Sequence, residues 1–200
     1  MSNFLAIDTS SRYLTVLAVK GEKKVLKHIP DCAMRHSVTL MGIVEQAFEE
    51  AELTPAECDF FAAVTGPGSF TGIRIGIAAA KGFAAGAHKP LLSVTSFALL
   101  AYNVTDEKFY TVIDAAHSHY YVCGFGAGGR VITPPAYVSE EEVNAFGEPL
   151  YGFEELPFKN YTRLDAGDCL YNAVRLSEGE LSNQMHALYV RKSQAEEGRK

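Results

Sequence analysis

Thr65-Gly66-Pro67-Gly68-Ser69-Phe70-Thr71-Gly72-Ile73-Arg74-Ile75-Gly76-Ile77-Ala78-Ala79-Ala80-Lys81-Gly82 is the run on which the reading of this chain turns. It follows Phe60-Phe61-Ala62-Ala63-Val64, a short apolar segment that reads as a buried strand. Gly66-Pro67-Gly68 breaks that strand, because glycine permits positive φ and proline fixes φ near −65°. Ser69 or Thr71 then supplies a hydroxyl to cap the first turn of a helix. Along that helix Gly72, Gly76, Ala79 and Ala80 recur at helical spacing, as do Ile73, Ile77 and Phe83-Ala84. An interior glycine costs a helix about 1 kcal/mol against alanine. Gly72, Gly76 and Gly82 therefore need a reason. Three readings stand: a phosphate site made of backbone N–H groups at a Gly-rich helix start, a groove for a partner's helix, or close packing on the chain's own sheet.

The chain has 200 residues, enough for one large domain or two small lobes with ample core. Its hydrophobic content of 48% marks a folded chain. A net charge of −6 argues against gripping nucleic acid unaided, which demands a basic face. From Phe60 to Thr105 there is no Asp or Glu, while Arg74, Lys81 and Lys89 are present, and so long an acid-free stretch suggests burial against core or partner. Cys32, Cys58, Cys123 and Cys169 form no CxxC pair and read as reduced, buried thiols. No leader pattern opens the chain and no apolar run approaches roughly 18 residues, so no membrane contact and cytoplasmic residence are expected.

Phe4–Ile7, Leu14–Val19 and Val25–Ile29 read as an antiparallel meander whose first turn is Asp8-Thr9-Ser10-Ser11. His36–Leu53 reads as a helix with Leu40, Met41, Val44, Ala47, Phe48 and Ala51 as its apolar stripe. Leu91–Val94 is a further strand and Ser96–Ala101 a helix capped by Thr95 or Ser96. Near residue 105 the pattern restarts. Tyr110–Asp114, Tyr120–Phe125 and Val131-Ile132 repeat the meander, with Ile7-Asp8 aligned on Ile113-Asp114 and Val16 on Val122. Ser139-Glu140-Glu141-Glu142 is a capping box for a helix through Phe146. Leu150–Gly152 is a possible strand, and Asp168–Leu176 a helix with Leu170, Ala173, Val174 and Leu176 as apolar positions. Gln194–Lys200 is polar and expected to fray.

Aspartates ending equivalent strands can hold a magnesium ion and a nucleotide across a cleft. Asp8 with Thr9 and Ser10 suits a first phosphate loop, the carboxylate for metal-bound water and the hydroxyls for phosphate oxygens. Asp114 is followed by Ala115-Ala116, with neither hydroxyl nor glycine. The plain alternative is that both aspartates end strands and accept hydrogen bonds within their turns. Gly66 and Gly68 do not complete a GxGxxG run, GK[ST], GxSxG and HExxH are absent, and His117 with His119, read as one face of a strand, is a weak metal pair.

Phe4–Ser10, Arg35-His36-Ser37, the whole run from Gly66 to Gly82, Val112-Ile113-Asp114-Ala115 and Tyr189-Val190-Arg191 resemble the TsaB (YeaZ-type) family. Its members are accessory subunits in bacterial threonylcarbamoyladenosine modification of tRNA, related to the catalytic TsaD. The resemblance implies an α/β fold of two related lobes of the actin/hexokinase/Hsp70-like (ribonuclease H-like) type. Each lobe has a mixed sheet with flanking helices, and the second is reduced. Residues 1–105 would form the first lobe and 106–200 the second, whose tail can return to the first. The implied role is a non-catalytic scaffold that pairs with TsaD, with the ATPase TsaE completing the set, or with a second copy of itself. It would meet tRNA only through the complex. ATP or ADP and magnesium would belong to that complex, with no cofactor held tightly here. The implied pairing surface comprises His36, Thr39, Leu40, Ile43, Ser69, Thr71, Gly72, Ile75, Gly76, Ala79 and Ala80.

TsaD holds its metal with two histidines one helical turn apart. Here Leu40 stands four residues after His36, so no metal and no catalytic residue are expected. The family's arginine and glutamate after Asp114-Ala115 are replaced by Ala116 and His119. The rival readings are an ATP-dependent small-molecule kinase or ATPase using Asp8, a glycoprotein peptidase, which lacks a nucleophile–base pair, and direct tRNA binding, which the acidic balance opposes.

Overall fold

The computed structural model describes residues 2–191. The first half of the chain runs β1 (Phe4–Asp8), β2 (Leu14–Lys20), β3 (Lys23–Ile29), α1 (His36–Ala51), β4 (Phe60–Val64), α2 (Phe70–Ala87), β5 (Leu91–Val94) and α3 (Ser96–Ala101). The second runs β6 (Lys108–Asp114), β7 (His119–Gly126), β8 (Arg130–Ser139), α4 (Glu140–Asn144), β9 (Leu150–Gly152), β10 (Tyr161–Arg163) and α5 (Ala166–Ser177). The first sheet has the order β3-β2-β1-β4-β5 and the second, read from its β8 edge, β8-β7-β6-β9-β10. In both, the first three strands are antiparallel and the last two join in parallel. The chain is therefore an α/β protein of two lobes with one repeated topology, the duplicated ribonuclease H-like arrangement.

The repeat is inexact at its first turn. Ile7 pairs with Val16, but Ile113 pairs with Tyr121 and not with Val122, so the second turn is one residue shorter and the gapless alignment slips there. The second lobe is reduced in its helices rather than its strands. Where the first lobe places the 16-residue α1, the second has the 5-residue α4. No helix joins β9 to β10, where the first lobe has α2. Strand β10, Tyr161-Thr162-Arg163, carries no apolar alternation and was not legible in the sequence.

Strand alternation divides the core into layers. Leu5, Ile7, Phe61 and Ala63 face α1 and α2, whereas Phe4, Ala6, Phe60 and Ala62 face the space between the sheets. That central layer also holds α3, α5 and Phe109, Ile113 and Phe125 of the second sheet. Helix α5, although late in the chain, thus packs on the first lobe's sheet. The segment after it does likewise: Ser182 bridges Leu91, and the Leu188 N–H donates to the Thr65 carbonyl at 2.8 Å. Arg191 then reaches the Tyr137 hydroxyl of β8 at 2.7 Å.

Two apolar assignments change. Met41 is 53% exposed and Leu176 63% exposed. In α5 the buried place falls to Ser177, and Leu176 lies about 100° around the helix from it. His117 sits in the β6–β7 turn at positive φ with Ala116 and Ser118, not on a strand beside His119. The four cysteines are buried and unpaired, and burial pushes the Cys58, Cys123 and Cys169 thiols up to about 12. Among the described residues no helix is long and apolar enough to cross a membrane. The expectation of a frayed Gln194–Lys200 lies outside the described residues.

Candidate functional site

The Gly-rich helix meets its own chain first. Ser69 caps α2, its hydroxyl accepting from the Gly72 N–H at 3.2 Å, and the Ser69 N–H donates to the Ser10 carbonyl at 2.7 Å. The Thr9 hydroxyl donates to the Gly72 carbonyl at 2.7 Å. A Cβ at Gly72 would lie 2.0 Å from the Thr9 carbonyl oxygen, and one at Gly76 2.6 Å from the Thr9 hydroxyl oxygen. These two glycines exist so that the β1–β2 turn can lie on the helix. Gly72, Gly76 and Ala80 are buried inside the protomer, which removes them from the surface implied for a partner. His36 and Leu40 are buried too, and His36 Nε2 donates to the Tyr13 carbonyl at 2.9 Å. Each of the five is covered by this chain's own turn and sheet.

The surface left open is a different strip of the same two helices. Phe48 meets Phe83 edge-on at 5.7 Å, which sets the flank of α1 that faces α2. Met41, two turns earlier, shares that flank. The opposite flank faces β3 through the Lys27–Glu50 ion pair at 2.6 Å, and helical spacing puts Thr39 and Ile43 there, half-buried. On α2, Thr71, Ala78 and Gly82 are exposed and Ile75 and Ala79 half-buried. A Cβ at Gly82 would meet nothing within 4 Å. Val38, at 81% exposure, joins Met41 as an exposed apolar residue of α1, beside the open or half-open Ile75, Ala78, Ala79 and Gly82 of α2. Glu45, one turn beyond Met41 and two beyond Val38, is exposed on that side of α1 together with Glu49, and Arg74 and Lys81 are exposed on α2. Ser69 is exposed just ahead of the helix.

A second feature is the cleft of about 1160 Å³ between the lobes, lined on one side by Ser10, Ser11, Tyr13 and Gly68 and on the other by Ile113, Asp114, Phe153 and Glu154. Asp8 and Asp114 form matching turns: the Ser10 N–H donates to Asp8 Oδ1 and the Ala116 N–H to Asp114 Oδ1, each at 2.8 Å. The phosphate-loop reading of Asp8, Thr9 and Ser10 fits poorly. The Thr9 hydroxyl and the Ser10 N–H are already spent within the chain, and Ser11 donates to Glu154 Oε1 at 2.9 Å. Asp8 has no exposure, and burial pushes its carboxyl above the usual range. Of the lining carboxylates, Asp31 pairs with Arg12 and Glu155 with Arg163, whereas Asp114, Glu154 and Asp165 have no ion pair among the described residues. A polyphosphate placed here would face three uncompensated carboxylates. The described residues also contain no cluster of three or more His, Cys, Asp or Glu able to hold a metal ion.

Comparison with known proteins then decides the family. Residues 28–156 match the family model described as TsaD, tRNA N6-adenosine threonylcarbamoyltransferase. The chain belongs to this family. Within it the chain is of the TsaB/YeaZ type. It is similar to the TsaB proteins of Bacillus subtilis, at 32% identity over 99 residues (50% of this chain and 43% of that protein), and of Haemophilus influenzae, at 32% over 123 residues (58% and 51%). The matched residues thus span about half the length of those curated relatives. A Pseudomonas aeruginosa protein described as similar to peptidase YeaZ has a crystal structure that superposes with a TM-score of 0.80 at 25% identity, covering 96% of this chain and all of that one.

Of the residues the resemblance implied for pairing, the structure leaves Thr39, Ile43, Ser69, Thr71, Ile75 and Ala79 at or near the surface. Val38, Ala78 and Gly82 are exposed as well; Gly82 already stands out in the sequence as a helix glycine in need of a reason, whereas Val38 and Ala78 do not. A signal for Ala78 was available: it and Gly82 are one turn apart on the side of α2 away from Ile73 and Ile77. Tyr13 and Glu154 at the cleft floor had no such signal, since nothing in the sequence brings them together across the lobes.

Proposed function

We propose that this chain is a non-catalytic subunit for threonylcarbamoyladenosine modification of tRNA, pairing with TsaD through the open face of α1 and α2. TsaE joins the pair, tRNA is met through the assembly, and ATP or ADP with magnesium is held there rather than by this chain alone. The observation that carries the reading is the set of small and apolar residues Val38, Met41, Ile75, Ala78, Ala79 and Gly82, which the protomer leaves exposed or half-exposed. Exposed apolar surface of this kind marks contact sites. Small side chains let helices approach closely. An acidic rim on α1 and a basic rim on α2 suit a self-complementary contact, so in TsaD's absence a second copy occupies the same face.

Support for a non-catalytic role comes from the turn chemistry. Thr9 and Ser11 spend their hydroxyls inside the chain, and Leu40 stands where a second metal-binding histidine would be needed. The test is co-purification with TsaD of the wild-type chain and of Gly82→Arg, which has room for its side chain. Retention of the wild type and loss of a folded Gly82→Arg is the expected outcome. Equal retention of both would refute the pairing surface.

A further inference from the structure

Gly68 lines the wide cleft and also a smaller hollow of about 320 Å³ with a different lining. Phe70 and Ile73 of α2 wall it from the first lobe, Ala115 and Tyr121 from the second, and residues 188–191 cross between them. No Asp or Glu is among its lining residues. On the α2 side the Arg74 guanidinium lies 3.8 Å over the Phe70 ring, and its Nε donates to the Tyr189 hydroxyl at 3.0 Å. The Phe70 and Tyr189 rings are 5.4 Å apart. Helical spacing puts Arg74 one turn beyond Phe70, and the stack with the Nε bond then fixes the plane of the guanidinium. Among the described residues its two terminal nitrogens have no hydrogen-bond or ion-pair partner. Arg74 is exposed, Phe70 is 43% exposed and Tyr189 46%. A contact that only tied the tail to the helix would bury these groups. On the second lobe's side the Tyr137 ring stacks on His119 at 4.8 Å, Tyr121 lies 5.7 Å from it and Arg191 4.7 Å over it.

We propose that this aromatic–guanidinium surface is a contact for single-stranded RNA, in which Arg74 takes a backbone phosphate and an unpaired base stacks on Phe70 and Tyr189 at the mouth of the hollow. A flat guanidinium with its outer edge free matches the paired oxygens of a phosphate. Aromatic rings offer their faces to any base, so such a contact is tolerant of sequence. An acidic peptide would satisfy the guanidinium and leave the rings idle, and a duplex would hide the base faces that the rings need. The charge that favours a polyanion is local. The chain carries −6 overall, yet Arg74 lies in the stretch from Phe60 to Thr105 that has no Asp or Glu. The five lining carboxylates, Asp31, Asp114, Glu154, Glu155 and Asp165, belong to the wide cleft instead. A contact this small adds to the assembly's hold on tRNA rather than supplying it, and for the identity of the strand it rests on the function proposed above.

Fluorescence anisotropy of a short labelled oligo(A) strand with the full chain alone, at low salt, tests the contact without TsaD. The wild type should bind the strand saturably and should bind it more weakly once it is annealed to oligo(U). Phe70→Leu keeps apolar bulk and removes the ring, and Arg74→Gln removes the charge; each should weaken binding by at least about fivefold. In Arg74→Gln the slope of log affinity against log salt should flatten by about 0.7, the share of one phosphate contact to a single strand. Lys23→Gln, in the hairpin at the opposite end of the first sheet, should change neither quantity. Both surface variants should still pair with TsaD. Absence of saturable binding by the wild type, undiminished binding by either variant, an unmoved salt slope in Arg74→Gln, or duplex bound as tightly as single strand would overturn the proposal. So would loss of TsaD pairing in Phe70→Leu or Arg74→Gln, by assigning the surface to a protein partner. Oligo(A) binding as expected by a chain that does not bind TsaD would refute the pairing surface and leave the RNA contact standing.

Discussion

Replacing Gly72 by alanine should destabilise the protein, although alanine is the better helix former. The added Cβ would sit 2.0 Å from the Thr9 carbonyl oxygen, a backbone atom. That oxygen cannot yield easily. Its turn is tied down by Thr9 to the Gly72 carbonyl, by the Ser10 N–H to Asp8 and by the Ser69 N–H to the Ser10 carbonyl. Overpacking of this kind costs about 1–3 kcal/mol. Losing the Thr9 hydrogen bond adds about 1 kcal/mol, and the gain in helix propensity returns about 1 kcal/mol. The net expectation is destabilisation by about 1–3 kcal/mol. Gly82→Ala, ten residues along the same helix, meets nothing within 4 Å and should stabilise by about 1 kcal/mol. Urea denaturation of the two variants beside the wild type measures the gap, expected at about 2–4 kcal/mol. A Gly72→Ala protein as stable as wild type, or a gap near zero, would show that the β1–β2 turn does not rest on α2.

The remaining predictions are simpler to read. Because burial pushes Cys58, Cys123 and Cys169 up to about 12, these thiols should react negligibly with an aromatic disulfide reagent at pH 8 in the native protein and fully in denaturant; rapid native labelling of all three would contradict their placement. Titration of the isolated chain with ATP and magnesium should give no saturable heat at micromolar concentrations, given the committed hydroxyls of Thr9 and Ser11 and the uncompensated Asp114, Glu154 and Asp165. Saturable micromolar binding would revive the kinase or ATPase reading of Asp8.

Much of the fold was legible because its signals are local. The strand–turn–strand–turn–strand pattern of Phe4–Ile29 recurs from Tyr110, and the apolar run Phe60–Val64, the break at Gly66-Pro67-Gly68 and the helical spacing after it placed β4 and α2. What failed required knowing neighbours. The stripe of Gly72, Gly76 and Ala80 announces a close approach, but spacing alone does not say whether the visitor is another subunit or the chain's own Thr9. Packing on the own chain won for that stripe, and the open strip beside it could be located only once the buried side was known. Strand β10 escaped because three residues with no apolar alternation are too short a signal, although they pair in parallel with Leu150–Gly152. The contact of Ser11 and Tyr13 with Glu154 joins residues more than 140 positions apart, beyond the reach of any local pattern.

The pairing surface is tested most directly by the affinity of the purified chain for TsaD, measured by isothermal titration for wild type, Ala78→Arg on the open strip and Val131→Arg on exposed β8. Ala78→Arg should fold as wild type does and bind at least about thirtyfold more weakly, the loss expected when a charge enters the centre of an interface. Val131→Arg should bind as wild type does. Unchanged affinity in Ala78→Arg, with its fold intact, would contradict the claim that TsaD seats on α1 and α2.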